Sequence, residues 1–356
     1  MKWLLLFVPL AIALEHLAPS RTLLIFACAA LAIIPLAALM ARATGLLASK
    51  LGPAIGGLLN ATFGNAAEFI ICLAALRSGL QQMVKASLAG AIVGNILLVL
   101  GLAMLLGGWR RHEQRYEPAP IRSLATMLTL AVIALVLPAA FVSIAPAERD
   151  SLGAISVWIA MALMAVYACN VLYTLVTHRQ LPVDEAGAHE THGHPVPAWT
   201  PRFAGMVLAG ATFGIVWMSE ILVSVIEPAT QSLGLSPAFA GVFVLAVLGS
   251  AAEQATAIVA ARHDRMDLAM SIALGASVQV ALLIAPLLVI VSHFVGPTPM
   301  SLLFGPGLVL TLVLAVMITG QVAGDGRSDW LRGVQLLAVY LILAGVYYFA
   351  PGLPEA

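Results

Sequence analysis

Apolar residues fall in long runs along this chain, and the polar positions collect in the short stretches between them. A helix that crosses the ~30 Å hydrocarbon core of a bilayer needs about 20 such residues. Eleven runs qualify, at roughly 3–18, 22–41, 53–76, 84–107, 121–145, 152–177, 203–226, 237–261, 267–293, 299–322 and 329–350. The breaks carry turn residues or charge: Pro19-Ser20, Ser49-Lys50, and the stretches 110–120, 147–150 and 262–267. The pattern predicts an all-α polytopic membrane protein with about 11 transmembrane helices. The first run follows Lys2 and resembles a signal peptide, but Glu15 and His16 fit a cleavage region poorly, so it is read as a retained helix.

Basic residues set the orientation. With the N-terminus in the cytoplasm and the helices alternating, cytoplasmic segments hold 13 of the 17 basic residues and the other side holds 4, namely Arg21, Arg77, Lys85 and Arg149. The longest polar segment, 178–201, divides the helices six and five and is read as a cytoplasmic linker. The domain plan is an N-terminal transmembrane helix (1–20), a first five-helix repeat (21–177), the linker, and a second five-helix repeat (202–356).

Composition agrees with lipid as the main solvent. Of the 356 residues 61% are hydrophobic and 10% charged, with a mean hydropathy of +1.01. Seventeen basic residues balance seventeen acidic ones, so no net charge points to nucleic acid. Cys28, Cys72 and Cys169 lie within apolar runs and form neither a disulfide framework nor a thiolate metal site.

Two segments repeat. Gly64-Asn65-Ala66-Ala67-Glu68 matches Gly249-Ser250-Ala251-Ala252-Glu253, and Leu88-Ala89-Gly90-Ala91 matches Ala273-Leu274-Gly275-Ala276, both at an offset of 185 residues. In the predicted topology the two copies run in opposite directions. Inverted repeats with a polar, glycine-interrupted stretch at matching depth point to the binding site of a secondary transporter.

Of the 17 acids only Glu15, Glu68, Glu220 and Glu253 fall within the apolar runs. An ionised carboxylate at mid-bilayer costs at least ~2.5–3.5 kcal/mol on insertion scales. Protonated, hydrogen-bonded structural glutamates are one reading of Glu68 and Glu253. A shared cation site is the other, and it also explains why both repeats carry the acid. Asn65 and Glu68 are three apart and share a helix face, as do Ser250 and Glu253. Asn95 and Gln279 lie on the neighbouring helices at similar depth. A hard cation such as Ca²⁺ takes about 6–8 oxygen ligands. Two carboxylates also balance two protons, and desolvation favours their neutral form, so protons compete for the same groups. Competition at one site with alternating access is antiport.

At these residues the chain resembles the Ca²⁺/H⁺ exchanger (cation/proton exchanger) family of the Ca²⁺:cation antiporter superfamily. The residues that carry the resemblance are Asn60-Ala61-Thr62-Phe63-Gly64-Asn65-Ala66-Ala67-Glu68, Gly94-Asn95-Ile96-Leu97-Leu98-Val99-Leu100-Gly101, the stretch 249–253, Ala273 to Gln279, and Ser219-Glu220-Ile221-Leu222-Val223. The resemblance implies a one-plus-five-plus-five helix plan and proton-coupled export or sequestration of Ca²⁺. It makes Glu68 and Glu253 the central ligands, with Asn65, Asn95, Ser250 and Gln279 around them. The chain departs from the family's pattern in three places. Ser250 stands where the motif usually has Asn, and Gln254 where it has His. Residues 41–45 lack the acids often found there. The acidic cytosolic segment is reduced to Asp184, Glu185 and Glu190.

The implied protein has no resident cofactor. Its partners are Ca²⁺ or another cation, protons and membrane lipid, and its location is a prokaryotic inner (plasma) membrane. Na⁺ or K⁺ exchange for protons is the alternative cargo, and a cation channel is the alternative from another class. A membrane enzyme would need a nucleophile–base pair or a metal triad within the runs, and none is found. Two weaker features remain. His189, His192 and His194 could bind a transition metal or form an ordinary polar loop. Glu220, near the outer end of its helix, is either a proton or cation mouth or an interfacial carboxylate.

Overall fold

Inside a bilayer every backbone donor and acceptor must be satisfied within the chain, so apolar runs of this length fold as helices. The computed structural model describes residues 2–174 and 199–349. The histidines and acids of the linker, His189, Glu190, His192, His194, Asp184 and Glu185, lie outside the described residues.

A 3₁₀ turn at Lys2–Leu6 leads into α1 (Phe7–Leu17). The first repeat follows as α2 (Thr22–Leu51), α3 (Pro53–Phe63), α4 (Ala66–Arg77), α5 (Gln81–Gly108), α6 (Pro118–Ile144) and α7 (Leu152–Leu172). The second comprises α8 (Pro201–Ser232), α9 (Pro237–Arg262), α10 (Met266–Val291), α11 (Pro306–Ala323) and α12 (Trp330–Phe349). Nine described helices are long and apolar enough to cross a membrane. The short α1 and the pair α3–α4 fill the other two predicted runs. Proline stands in the first turn of α3, α6, α8, α9 and α11, where its missing N–H costs nothing. Thr200 and Ser236 cap α8 and α9 by accepting from the amides of Phe203 and Phe239.

Three boundaries differ from the sequence expectation. The helix expected over 22–41 runs on to Leu51, because nothing breaks it before Gly52-Pro53. The run 53–76 is two helices, interrupted at Gly64-Asn65, where Asn65 takes non-helical angles of φ −105° and ψ 25°. The helix expected over 299–322, α11, starts at Pro306, since the stretch from Ser292 to Gly305 forms turns and irregular chain. Single π turns interrupt α5 at Gly94–Val99, α9 at Ala240–Leu245 and α10 at Val280–Ile284.

The helices pack as the repeat predicts. α2 lies along α8 and α6 along α11, each against its own counterpart. α8 packs on α4 while α2 packs on α9, and α5 packs on α12 while α10 packs on α7. That exchange of partners is what a two-fold relation between repeats produces. Arg42 of α2 sets its guanidinium 4.3 Å above the Trp199 ring, just before α8. At Gly90, α5 comes so close to α9 that a Cβ would run into the backbone of Val242, the kind of approach small residues permit between membrane helices.

Two cores result. One gathers α1, α2 and α8; the other gathers α5 to α7 and α9 to α12. α4 belongs to both, since Ala67 and Ile71 enter the first and Cys72 and Leu76 the second. The helix that carries Glu68 therefore lies on the seam between two packed bodies.

At the end of the bundle that holds Arg111 and Arg262, three loops are tied together. The two-residue strands β1 (Gln114–Arg115) and β2 (Arg327–Ser328) pair antiparallel. The buried Gln114 amide donates to Ala261 O and Asp264 Oδ1, both at 2.9 Å. Arg115 donates to Glu113, and with Arg327 nearby this holds the Glu113 carboxyl below the usual carboxylate range.

Candidate cation-binding site

The break at Gly64-Asn65 builds one side of the site. A helix end leaves its last carbonyls without intrahelical donors, so the C-terminal end of α3 presents partial negative charge at the break. Glu68, the third residue of α4, sits at that helix's positive end, which favours a carboxylate there. Glu68 is fully buried, and neither of its carboxylate oxygens has a hydrogen-bond partner. No lysine, arginine or histidine forms an ion pair with Glu68 or Glu253 among the described residues.

The second repeat supplies the other side. α9 passes Glu68 at Gly249, where a Cβ would stand 3.1 Å from the Glu68 Cβ. Glycine is what lets the α9 backbone lie against the Glu68 side chain. Glu253, one turn further on, is half-buried. Each glutamate is nine residues from the last residue of its helix, Arg77 or Arg262, so the two acids hold equivalent positions.

Asn65 joins the repeats. Its Nδ2 donates to Gln279 Oε1 on α10 at 2.6 Å. The other side of the same amide lies 3.0 and 3.2 Å from the two Glu253 oxygens, and turning the amide over makes its nitrogen the donor to Glu253. One NH₂ serves one neighbour at a time. When Asn65 turns to donate to Glu253, Gln279 can turn its own amide and donate to the Asn65 oxygen, so the three side chains bond in a row. Asn95, in the π turn of α5, is buried with its Nδ2 unpartnered. That turn packs against α9 and α10.

The structure thus gathers Asn65, Glu253 and Gln279 directly and sets Glu68 against Gly249. Ser250, expected among the ligands, is engaged within its own helix: it donates to Ala246 O and accepts from Gln254 Nε2, both at 2.7 Å. Glu220 is exposed and accepts a hydrogen bond from Arg77, at the end of α4, at 2.9 Å. That ion pair and the Gln254–Ser250 bond were missed by sequence reasoning; the glycine interruption expected at both motifs is a break at Gly64-Asn65 and is absent at Gly249, which lies inside a continuous helix. A groove of about 490 Å³ opens beside Phe63 against α8, lined by Leu208, Thr212, Phe213 and Val216. Its mostly apolar walls suit acyl chains better than ions.

A family model described as sodium/calcium exchanger protein matches residues 21–176 and 203–349, the two halves on either side of the linker. The chain belongs to this exchanger family. It is 42% identical to a Ca(2+)/H(+) antiporter of Synechocystis sp., over 98% of this chain and 97% of the relative. It is 40% identical to the Ca(2+)/H(+) antiporter ChaA of Bacillus subtilis, over 92% of each. The solved structure of native YfkE superposes with a TM-score of 0.82 at 35% identity, covering 96% of this exchanger and 97% of YfkE.

Proposed function

We propose that the chain is a secondary active transporter that exchanges Ca²⁺ for protons by alternating access, with Glu68 and Glu253 as the shared site. The observation that carries this reading is the Glu68 carboxylate, sealed from solvent with neither oxygen bonded and no basic partner. A group this costly to ionise in place becomes stable when a divalent cation or a proton reaches it. Four carboxylate oxygens, the amide oxygens of Asn65, Asn95 and Gln279, and the carbonyls that end α3 can furnish the oxygen-rich shell that Ca²⁺ takes. Ser250 joins that shell once Gln254 releases its hydroxyl oxygen, whose O–H can go on donating to Ala246 O. Two negative charges are balanced by one Ca²⁺ or by two protons, so either cargo leaves the site neutral. The names of the relatives support the same pair of ions.

Glu220 stands at the mouth, held by Arg77. The N-terminus and the linker face the cytoplasm of a prokaryotic cell, on the strength of the basic-residue asymmetry. The test is proton flux in proteoliposomes of the purified protein, driven by Ca²⁺, Na⁺, K⁺ or Mn²⁺ gradients. Ca²⁺-driven flux is expected. Flux driven by Na⁺ or K⁺ and not by Ca²⁺ would replace the cargo, and uncoupled cation conductance would point to a channel.

A further inference from the structure

The groove beside Phe63 holds none of the cation ligands, and it has a direction. One side of it comes from α8, where Gly205, Ala209, Thr212 and Val216 are spaced three or four apart and share a helix face. Another face of α8 is spent on α2. Ala211, Ile215 and Met218 are buried in the core the two helices share, and a Cβ at Gly214 would stand 3.1 Å from the Leu36 methyls. Ala209 and Val216 are exposed, and Gly205 and Thr212 half-buried, so the stripe opens to the outside of the bundle. The Thr212 hydroxyl donates to Leu208 O at 2.8 Å and leaves the groove no free donor.

From Gly205 to Val216 the stripe covers about 16 Å of helix, half of the ~30 Å hydrocarbon core. It starts one turn inside the N-terminal end of α8. Phe63, the last residue of α3 before the Gly64-Asn65 break, lines it as well. An apolar groove of that length, at that depth, matches one acyl chain of a single leaflet.

Charge identifies the headgroup. Arg202 continues the same stripe one turn before Gly205. It is exposed and forms no ion pair among the described residues. Arg111, Arg115, Arg327 and Arg332, by contrast, all meet carboxylates. A cation in the first turn opposes the helix dipole, so its own helix offers Arg202 no hold. α2, α3 and the part of α8 from Pro201 to Ser219 contain Arg42, Lys50 and Arg202 and no acid. Arg42 lies over Trp199, and that ring meets Phe203 edge-on with centroids 5.4 Å apart. Tryptophan with basic residues at the end of a spanning helix marks the headgroup level.

We propose that this groove is a binding site for one anionic phospholipid, with its phosphate at Arg202 and one acyl chain along Gly205, Ala209, Thr212 and Val216 against Phe63. The site adjoins the break that builds the cation site and stands whichever cation the exchanger carries. The linker's own acids, Asp184, Glu185 and Glu190, are the competing partner for Arg202. A polar segment suits the arginine but not the apolar walls beyond it.

The test is native mass spectrometry of the purified full chain, released from micelles that hold equal amounts of phosphatidylglycerol and phosphatidylcholine. The parent should retain one phospholipid and prefer phosphatidylglycerol by about 5-fold, the worth of one basic residue near an anionic headgroup. Arg202→Gln should abolish the preference, and Arg202→Lys should keep it. Gly205→Phe puts a ring into open space at the head of the groove and should lose the retained lipid of either kind. Melting separates this from misfolding. In phosphatidylcholine alone Gly205→Phe should melt with the parent, whereas added phosphatidylglycerol should raise only the parent's melting temperature, as a ligand of the folded state does. A parent that retains no lipid, or retains the two lipids alike, would overturn the proposal. So would a preference that survives Arg202→Gln, or a lipid that stays in Gly205→Phe. Retention that appears only when Asp184, Glu185 and Glu190 are replaced by their amides would put the linker in the groove and overturn it too.

Discussion

Glu68 and Glu253 are equivalent in sequence yet differ in surroundings. Glu68 has no solvent contact and no bonding partner, whereas Glu253 is half-buried against the Asn65 amide. In the proposed shared site one acid is sealed and the other half-buried. Either Glu→Gln change keeps the shape and deletes the charge. Each variant should lose coupled exchange by about 100-fold or more, since two charges act as one site and single losses are non-additive. Ca²⁺ at 100 times its Kd should stabilise the parent by about 2.7 kcal/mol in thermal unfolding and leave both variants unshifted. The Ser250–Gln254 pair bears on selectivity. In Ser250→Asn, Gln254→His, an amide replaces a hydroxyl now tied up within its helix, and an imidazole that titrates near neutral pH replaces an amide that does not. The double variant should discriminate Ca²⁺ from Na⁺ more sharply and show a steeper pH profile, in proton-flux assays from about pH 6 to pH 9. Matching profiles would make these departures neutral.

The two repeats present their motifs on different elements. In the first, Gly64-Asn65 ends one helix and starts another; in the second, Gly249-Ser250 lies inside a continuous α9 whose irregularity is the π turn one to two turns earlier. The acids, the Asn65–Gln279 amide pair beside Glu253 and the count of apolar runs were legible in the sequence, because charge inside an apolar run is rare and hydropathy reports length. The interruption at Gly64 was legible from its Gly-Asn pair, although the same reading at Gly249 was wrong. The π turns were not legible, because they hold residues as apolar as their neighbours. Ser250 was read as a free ligand because spacing gives its face and cannot show that Ala246 and Gln254 already hold its hydroxyl. Packing between elements makes its own prediction at Gly90, where a side chain would meet the Val242 backbone. Gly90→Val should destabilise the fold by about 1–3 kcal/mol through overpacking. Gly275→Ala, at a helical position with open space, should be neutral or stabilising in the same melting assay.

The whole molecule divides into an α1–α2–α8 body and a larger body of seven helices, α5 to α7 and α9 to α12, with α4 on the seam. The larger body is tied at one end by β1–β2, by Gln114 on Ala261 and Asp264, and by Arg122 on Gly324 O. The smaller body has no such clamp to it among the described residues; the exposed Arg77–Glu220 pair reaches it from α4. The smaller body meets the larger one through side-chain packing of α2 on α9 and α8 on α4. Fold and family were legible in the sequence because the inverted repeat spans nearly the whole chain. The division into two bodies was not, since it depends on which faces of α4 pack on which neighbours. The central claim is that Ca²⁺ and protons occupy one two-carboxylate site in turn. Calorimetry of Ca²⁺ binding to the purified protein in buffers of differing ionisation enthalpy counts the protons released per ion bound. The account predicts a count that approaches two as the starting pH is lowered to load both glutamates, with both release and binding lost in Glu68→Gln and in Glu253→Gln. Ca²⁺ binding that releases no protons at any pH, or that survives either substitution unchanged, would contradict it.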